Sequence, residues 1–538
     1  MRPIHSGKIN RRSVLAGTAV AAAGLLPAGP RSAFAQKDAA KTLRVIRSGN
    51  LASLDPIWTT APPTKDYAFL TFDQLLAVDL NYVPRPQMAD GWSVEDDGRT
   101  YVLGLREGLK FHDGEPVRST DCIASIQRWG ARDGFGQLTM KFVDTLEVID
   151  DRRFRISLKK PFPLLPAALG KSSSSQCFIM PERMAKTDPM KQVTETIGSG
   201  PYRFLKDQWI SGARAAWAKF DGYIPRKEPV SGIAGGRIPA VDRIEWSFIN
   251  DASTAMAALQ AGEQDYWDAP SLDLMPILKG DPNIVVETRN PTGSYYMLQL
   301  NHTQPPFNNP AVRRALAMAV DQTDFLKSAV SDPALIKPCY SYYGTDSPYY
   351  SEAGSDVLKV KSVDKAKAAL RDAGYAGEKV VILGLMDSPV SAAMCQFAED
   401  LMRRIGMNVQ LVPMDFSTMA QRRTSKEPTD KGGWSLFVTV WTGADILHPA
   451  VHQMLRAGGS TAWFGWPNDP QIEALRDQWA NAVDAEEQKR LAIAIQVEAF
   501  KTLPYIPLGS LVNQVAYRKN VTGVFPCPVV AYWNMAKS

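Results

Sequence analysis

The chain is poor in the residues that most often carry chemistry. Its 538 residues include 5 cysteines and 5 histidines. Cys122, Cys177, Cys339, Cys395 and Cys527 stand singly, without the close pairs of a zinc ribbon or a dithiol redox motif. An odd count leaves at least one thiol free, and most should be small buried hydrophobes, with one or two disulfides permitted in an oxidising compartment. Catalytic signatures are absent or broken. GKSS (170–173) ends like a phosphate-binding loop, but the glycine such a loop needs at its start is Leu165. Ser362-Val363-Asp364-Lys365 lacks the companion motifs of an acylating serine, and Ser362 stands where a helix cap belongs. His448 and His452 are spaced i, i+4 as a metal pair on a helix would be, yet no HExxH contains them and no metal site is expected. Beyond residues 15–26, no run is long and apolar enough to approach a membrane span.

Charge of one sign is missing as well. Lys and Arg number 61 and Asp and Glu 56, but five of the basic residues (Arg2, Lys8, Arg11, Arg12, Arg31) fall within residues 1–35, which hold no acid. The remainder is neutral overall, without a basic run to follow a phosphate backbone, so nucleic acid is not an expected partner. Arg11 and Arg12 precede the Gly/Ala-rich stretch LAGTAVAAAGLL (15–26), and Ala33-Phe34-Ala35 offers small residues for signal peptidase. The segment 1–35 resembles a twin-arginine export signal cleaved near Ala35, which implies a periplasmic or secreted product.

What is present reads as mixed α/β. KVVILGL (379–385) and NVQLVPM (408–414) are strands flanking a helix with Ala398, Leu401, Met402 and Ile405 on one face and Gly406 at its end, a unit expected to pair in parallel. Ser362 should cap a helix over 363–375, and Pro310 should open one over 311–320. DRIEWSFI (242–249) and SYYMLQLN (294–301) alternate as strands, while SSSS (172–175) reads as a loop. The HDG of GLKFHDGEPVRSTD (108–121) looks catalytic, but Asp113-Gly114 suits a tight turn and Ser119 or Thr120 can cap the following helix, whose apolar face includes Cys122, Ile123 and Ile126. His112 is then a side chain flanking a turn.

Five blocks carry a family resemblance. DGWSVEDDGRTYVLGLREGLKFHDGEPVRSTDCIASIQRW (90–129), GSGPYRF (198–204), VDRIEWSFINDASTAMAALQAGEQDY (241–266), LQLNHTQPPFNNPAVRRALAMAVDQ (298–322) and SVDKAKAALRDAGY (362–375) resemble, in order, the extracytoplasmic solute-binding proteins of family 5. That family serves ABC importers of oligopeptides, dipeptides, nickel chelates and some sugars. The resemblance implies an α/β, two-lobed periplasmic-binding-protein fold of the type II kind. Lobe one would comprise 36–285 with an extra subdomain, lobe two 286–505, and 506–538 would return to lobe one, with a hinge between the lobes. It further implies a monomeric receptor without enzymatic activity or cofactor. The receptor would close over a peptide or peptide-like solute and deliver it to an inner-membrane permease with its ATPase.

In peptide-binding members an aspartate shortly after a tryptophan receives the ligand's α-amino group. By that resemblance Asp445 is the candidate here, in VWTGADILHPAVHQML (440–455), four positions after Trp441 where the family pattern has three. His448 stands before Pro449 where many relatives place a second aspartate. Aromatic walls should complete the cleft, with Trp441, Tyr295, Tyr296, Trp463 and Phe464 as candidates. A receptor for a sugar or metal chelate, and an exported hydrolase, are the alternatives.

Overall fold

A run of β-branched and aliphatic residues that is buried on both faces must lie inside a layered sheet, and KVVILGL does. In the computed structural model, which describes residues 41–538, Lys379–Leu385 pairs in parallel with Asn408–Met414. The helix Pro389–Arg404 crosses between them, started by Pro389 behind Ser388, and Gly406 supplies the left-handed turn (φ 97°) out of it. The proposed export signal lies outside the described residues.

These strands form one end of an 11-stranded mixed sheet. Its order is Tyr202–Phe204, Arg214–Lys219, Arg243–Ser247, Thr42–Ile46, Tyr266–Trp267, Tyr505–Arg518, Ile284–Leu300, Leu436–Thr442, Lys379–Leu385 and Asn408–Met414, with Ile336–Lys337 beside Tyr505–Arg518. The two longest strands, Ile284–Leu300 and Tyr505–Arg518, run antiparallel through its middle. Their ladder is regular from Ile284 to Thr288 and resumes at Ser294, with register shifts at Thr288/Asn290, Asn290/Ser294 and Tyr295/Met297. A ladder interrupted over a few residues is locally bent and poorly tied, which is where a sheet can flex. The strand at 294–301 is thus the second half of a longer one. Ser362 caps Val363–Asp372 by accepting from the Lys365 amide.

A separate four-stranded sheet, Ala89–Glu95, Thr100–Leu105, Arg153–Leu158 and Val143–Val148 in spatial order, packs against the helix Ser119–Arg132. The cap of that helix differs from the expectation. Arg118 occupies the cap position and its amide donates to Asp121 Oδ2 at 2.8 Å. Ser119 instead donates to the Asp150 carbonyl at 2.7 Å, and that pull toward a neighbouring turn takes its hydroxyl away from the helix end. His112 is buried, accepting from the Gly198 amide at Nδ1 (3.1 Å) and meeting the Gly200 carbonyl at Nε2 (3.0 Å). Burial pulls its pKa down to about 4, as expected where charging would strand a cation away from water. HDG is therefore a structural turn that ties to GSGP. The same contact explains those glycines: a Cβ on Gly198 would stand 1.8 Å from the Thr71 carbonyl oxygen, and one on Gly200 2.6 Å from that of Leu70.

All five cysteines are buried and free. His448 and His452 do not share a helix face, because the segment breaks into short 3-10 turns at Gly443–Ile446 and Gln453–Leu455. His448 stacks on Trp479 at 5.5 Å, and His452 Nε2 lies 2.8 Å from the Tyr342 carbonyl oxygen. Among the described residues no group of three or more His, Cys, Asp or Glu side chains could hold a metal ion.

Candidate functional site

Strand Leu436–Thr442 delivers the site. Where it ends, Thr442 caps the short turn Gly443–Ile446: the Thr442 amide and hydroxyl both donate to Asp445 Oδ2, at 3.1 and 2.6 Å. Such a short reciprocal cap fixes the carboxylate before any ligand arrives. Its other oxygen, Oδ1, accepts from the Ser174 amide at 2.7 Å. Ser174 belongs to the SSSS segment, which is a loop as expected but a buried one. The bond therefore joins stretches 271 residues apart in the chain.

Asp445 is only 3% exposed. Burial alone would push its pKa up, but the Lys65 charge, the Thr442 hydroxyl and the Ser174 amide outweigh it and hold the carboxyl below its ordinary value. It is consequently an anion inside the protein at neutral pH. A carboxylate offers about four acceptor positions, and the three bonds leave one open.

Sequence reasoning missed Lys65, which lies in the helix Pro62–Thr71 and is 7% exposed. No motif marks it, because its meaning comes from a helix and a turn that meet only after folding. It missed the serine loop as a participant for the same reason. Lys171 fixes that loop from behind, bonding Asp133 Oδ2 at 2.6 Å and the Ser174 carbonyl at 2.7 Å. The same face is bridged by Arg456 to Gln137 Oε1 at 3.0 Å and by Phe135 against His448, ring centroids 5.4 Å apart.

The aromatic candidates separate into two groups. Tyr295 and Trp441 are opposed in the antiparallel ladder, and Tyr296 is opposed to Val440. Directly opposed residues share a face and neighbours alternate, so Tyr295 accompanies Trp441 and Tyr296 points to the other side. Tyr295 is buried, its hydroxyl 2.9 Å from the Thr345 amide. Trp463 lies edge-on to Trp441 at 5.2 Å and Phe464 follows at 5.2 Å from Trp463. The buried Arg423 guanidinium covers both rings, at 5.3 and 4.5 Å from their centroids, and burial draws its pKa down to about 10. Trp463 and Phe464 also line a cavity of about 190 Å³ with Gln453, Arg456 and Thr461. Trp441, Trp463 and Phe464 thus form one run of ring contacts, and Tyr296 lies on the opposite face of its strand from Tyr295 and Trp441.

Known proteins resemble the chain both in sequence and in fold. Over 534 residues, covering 98% of this chain and 100% of the other, the sequence is 38% identical to a probable peptide ABC transporter periplasmic-binding protein of Sinorhizobium fredii. In fold it resembles a periplasmic binding protein from A. tumefaciens solved with agropinic acid (TM-score 0.78, 22% identity, 92% of this chain and 99% of that one). It also resembles an ABC transporter-associated periplasmic binding protein from Helicobacter pylori solved with the peptide STSA (TM-score 0.76, 22% identity, 94% and 100%). Residues 83–463 match the family described as bacterial extracellular solute-binding proteins, family 5 Middle. The chain belongs to the bacterial extracellular solute-binding proteins of family 5.

Proposed function

We propose that this chain is the periplasmic receptor of an ABC importer for a peptide or peptide-like solute, exported by a twin-arginine signal cleaved near Ala35. The observation that carries the reading is the buried carboxylate of Asp445, held by the Thr442 cap with one acceptor position unused. A buried anion with room for one more donor suits a ligand ammonium, which would complete the set in a dry site.

The bond from Ser174 to Asp445 gives the closing step a physical form. With lobe one at 36–285 and 506–538 and lobe two at 286–505, Ser174 and Asp445 belong to different lobes, and the interrupted ladder at Thr288–Ser294 is the hinge. Ligand binding then shifts an open ensemble toward this arrangement, because only the closed form offers both sides of the site. Trp441, Trp463 and Phe464 supply apolar walls with few polar groups among them, as small-solute sites require. The monomer in closed form would be the species that the permease and its ATPase receive.

Small-angle scattering with and without short peptides tests this reading, combined with chromatography of the peptide afterwards. The expected result is a smaller radius of gyration with ligand and recovery of the peptide intact. Cleaved peptide would point to an exported hydrolase, and an unchanged radius despite binding would contradict closure.

A further inference from the structure

Strand Leu436–Thr442 has a polar cavity at the end away from Asp445. Thr442 leads into the Asp445 turn, whereas Leu436 stands opposite Leu300 at the other end of the pairing, roughly 20 Å away at about 3.3 Å per residue. There the chain leaves the sheet at Asn301, whose amide donates to the Ser435 carbonyl at 2.8 Å and whose Nδ2 donates to the Trp434 carbonyl at 2.9 Å. A cavity of about 580 Å³ lies beside this point, with Arg313 and Trp466 buried in its wall and Asn308, Lys426, Ser460 and Asn468 exposed around it. Its walls are tied from within. The His302 amide donates to the Gly465 carbonyl at 2.8 Å, the Gly459 amide to the Pro467 carbonyl at 2.9 Å, and Gln304 Nε2 to the Lys426 carbonyl at 2.9 Å.

Cations line this cavity and no Asp or Glu does. Among the described residues five arginines are buried. Arg47, Arg128 and Arg237 each have an aspartate at ion-pair distance, and Arg423 lies against two aromatic faces. Arg313, 5% exposed, has neither. Its Nε donates to the Thr502 carbonyl at 2.8 Å and its Nη1 to the Phe307 carbonyl at 2.6 Å, and among the described residues no acceptor takes Nη2. Asp469 acts on Arg313 by its charge, but its Oδ1 is spent on the Gln471 and Ile472 amides as a helix cap and the two form no ion pair. Burial draws the Arg313 pKa down to about 10, so it remains a cation at neutral pH. A guanidinium held out of water without a counter-ion is costly, and an arriving anion would recover that cost. Lys426 brings a second charge, its Nζ 4.9 Å from the centroid of the Trp466 ring, with no carboxylate at ion-pair distance among the described residues. The side chains of Asn308, Ser460 and Asn468 add donors that no protein group takes up.

We propose that this cavity is a second ligand site, in which Arg313 and Lys426 hold a phosphate group. Its donors come from several chain segments and so from several directions, which suits a tetrahedral oxyanion with three or four accepting oxygens better than a planar carboxylate. The space exceeds one phosphate, and the Trp466 ring adds an apolar surface to it. A phosphate ester therefore fits as well as the free ion, whether it is a soluble metabolite or the headgroup of an anionic phospholipid. The site stands apart from Asp445 and does not depend on what binds there.

Calorimetric titration of inorganic phosphate into the chain at fixed ionic strength should saturate at one phosphate per chain, with a Kd of about 1 mM or tighter. Arg313 also holds two carbonyls of the fold, so Lys426 is the residue to change. Lys426→Met should weaken phosphate binding at least about tenfold and leave the thermal unfolding midpoint unchanged, because its side chain is exposed. Lys431→Met removes an exposed lysine five residues on that does not line the cavity, and should leave phosphate binding as it is. Vesicles of phosphatidylglycerol and of phosphatidylcholine separate the two sources of phosphate. Retention on phosphatidylglycerol alone, lost in Lys426→Met and displaced by free phosphate, assigns a lipid headgroup; saturable phosphate binding without retention on either vesicle assigns a soluble phosphate. Absence of both overturns the proposal. So does phosphate binding that Lys426→Met leaves intact or that Lys431→Met weakens equally, since it would then follow overall charge alone.

Discussion

Asp445→Asn removes a charge from the site and leaves its shape. The amide oxygen can keep the two bonds from Thr442, but its NH₂ must then face the Ser174 amide, donor against donor. That forfeits one bond to a charged acceptor, worth about 1.5–3 kcal/mol. On the proposed reading a ligand ammonium also loses its partner in a closed site, at a cost of about 2–5 kcal/mol. Both losses fall on the closed, liganded state, so they add in the binding free energy. A total of at least about 3 kcal/mol is expected, more than a hundredfold in Kd at roughly 1.4 kcal/mol per decade. Isothermal titration with a tight-binding peptide at neutral pH reads this directly. Ser174→Ala is the internal control: the bond to Asp445 comes from the backbone amide, so affinity should change by less than about 0.5 kcal/mol. An Asp445→Asn protein that binds within about threefold of the native one would refute the reasoning.

Further outcomes follow from other parts of the fold. Arg128 is 2% exposed and spans Asp55 and the carbonyls of Thr187, Asp188 and Lys191. Arg128→Met should lower the unfolding free energy in urea by about 3–5 kcal/mol, since it strands a buried carboxylate. Gly198→Ala sets a methyl group 1.8 Å from the Thr71 carbonyl oxygen and should cost at least about 1–3 kcal/mol through overpacking, seen as a lowered urea midpoint. His112 and His452 are buried with pKa values pulled down to about 4 and about 3. Their neutral forms stabilise the fold fully above the unfolded-state pKa of about 6.5, and that contribution is lost as pH falls through about 4 and about 3. His112→Gln should therefore flatten the fall of stability between pH 6 and 4 by up to about 1.4 kcal/mol per pH unit, measured by denaturation at each pH.

The legible parts of this molecule are those in which local pattern and tertiary context agree. Lys379–Met414 is a β-branched strand, a helix with one apolar face and a second strand, each bounded by a turn residue, and it folds as its sequence reads. Asp113-Gly114 gave the turn, and its bland reading holds because His112 bonds to Gly198 and Gly200. The Ser119 cap misled because a hydroxyl at a helix start can serve a neighbouring loop instead. Strand 294–301 was legible only in part, because NPTG at 290–293 reads as a break where the structure has an irregular, continuing strand. The site was the hardest. Asp445 followed from a family pattern, whereas Lys65 and the serine loop come from distant stretches with no periodic or compositional mark. Tyr295 and Tyr296 stood together as cleft candidates, and the strand period separates them, since adjacent residues face opposite ways and Tyr295 is the one opposed to Trp441.

The central claim is that the chain captures an amine-bearing, peptide-like solute without changing it. The most direct measurement is native mass spectrometry of residues 36–538, purified without denaturation from cells that export it, followed by denaturing spectra of whatever is released. The account predicts one small molecule per chain, intact, with a free amino group. A retained molecule lacking an amino group, or a set of cleavage fragments, would contradict it.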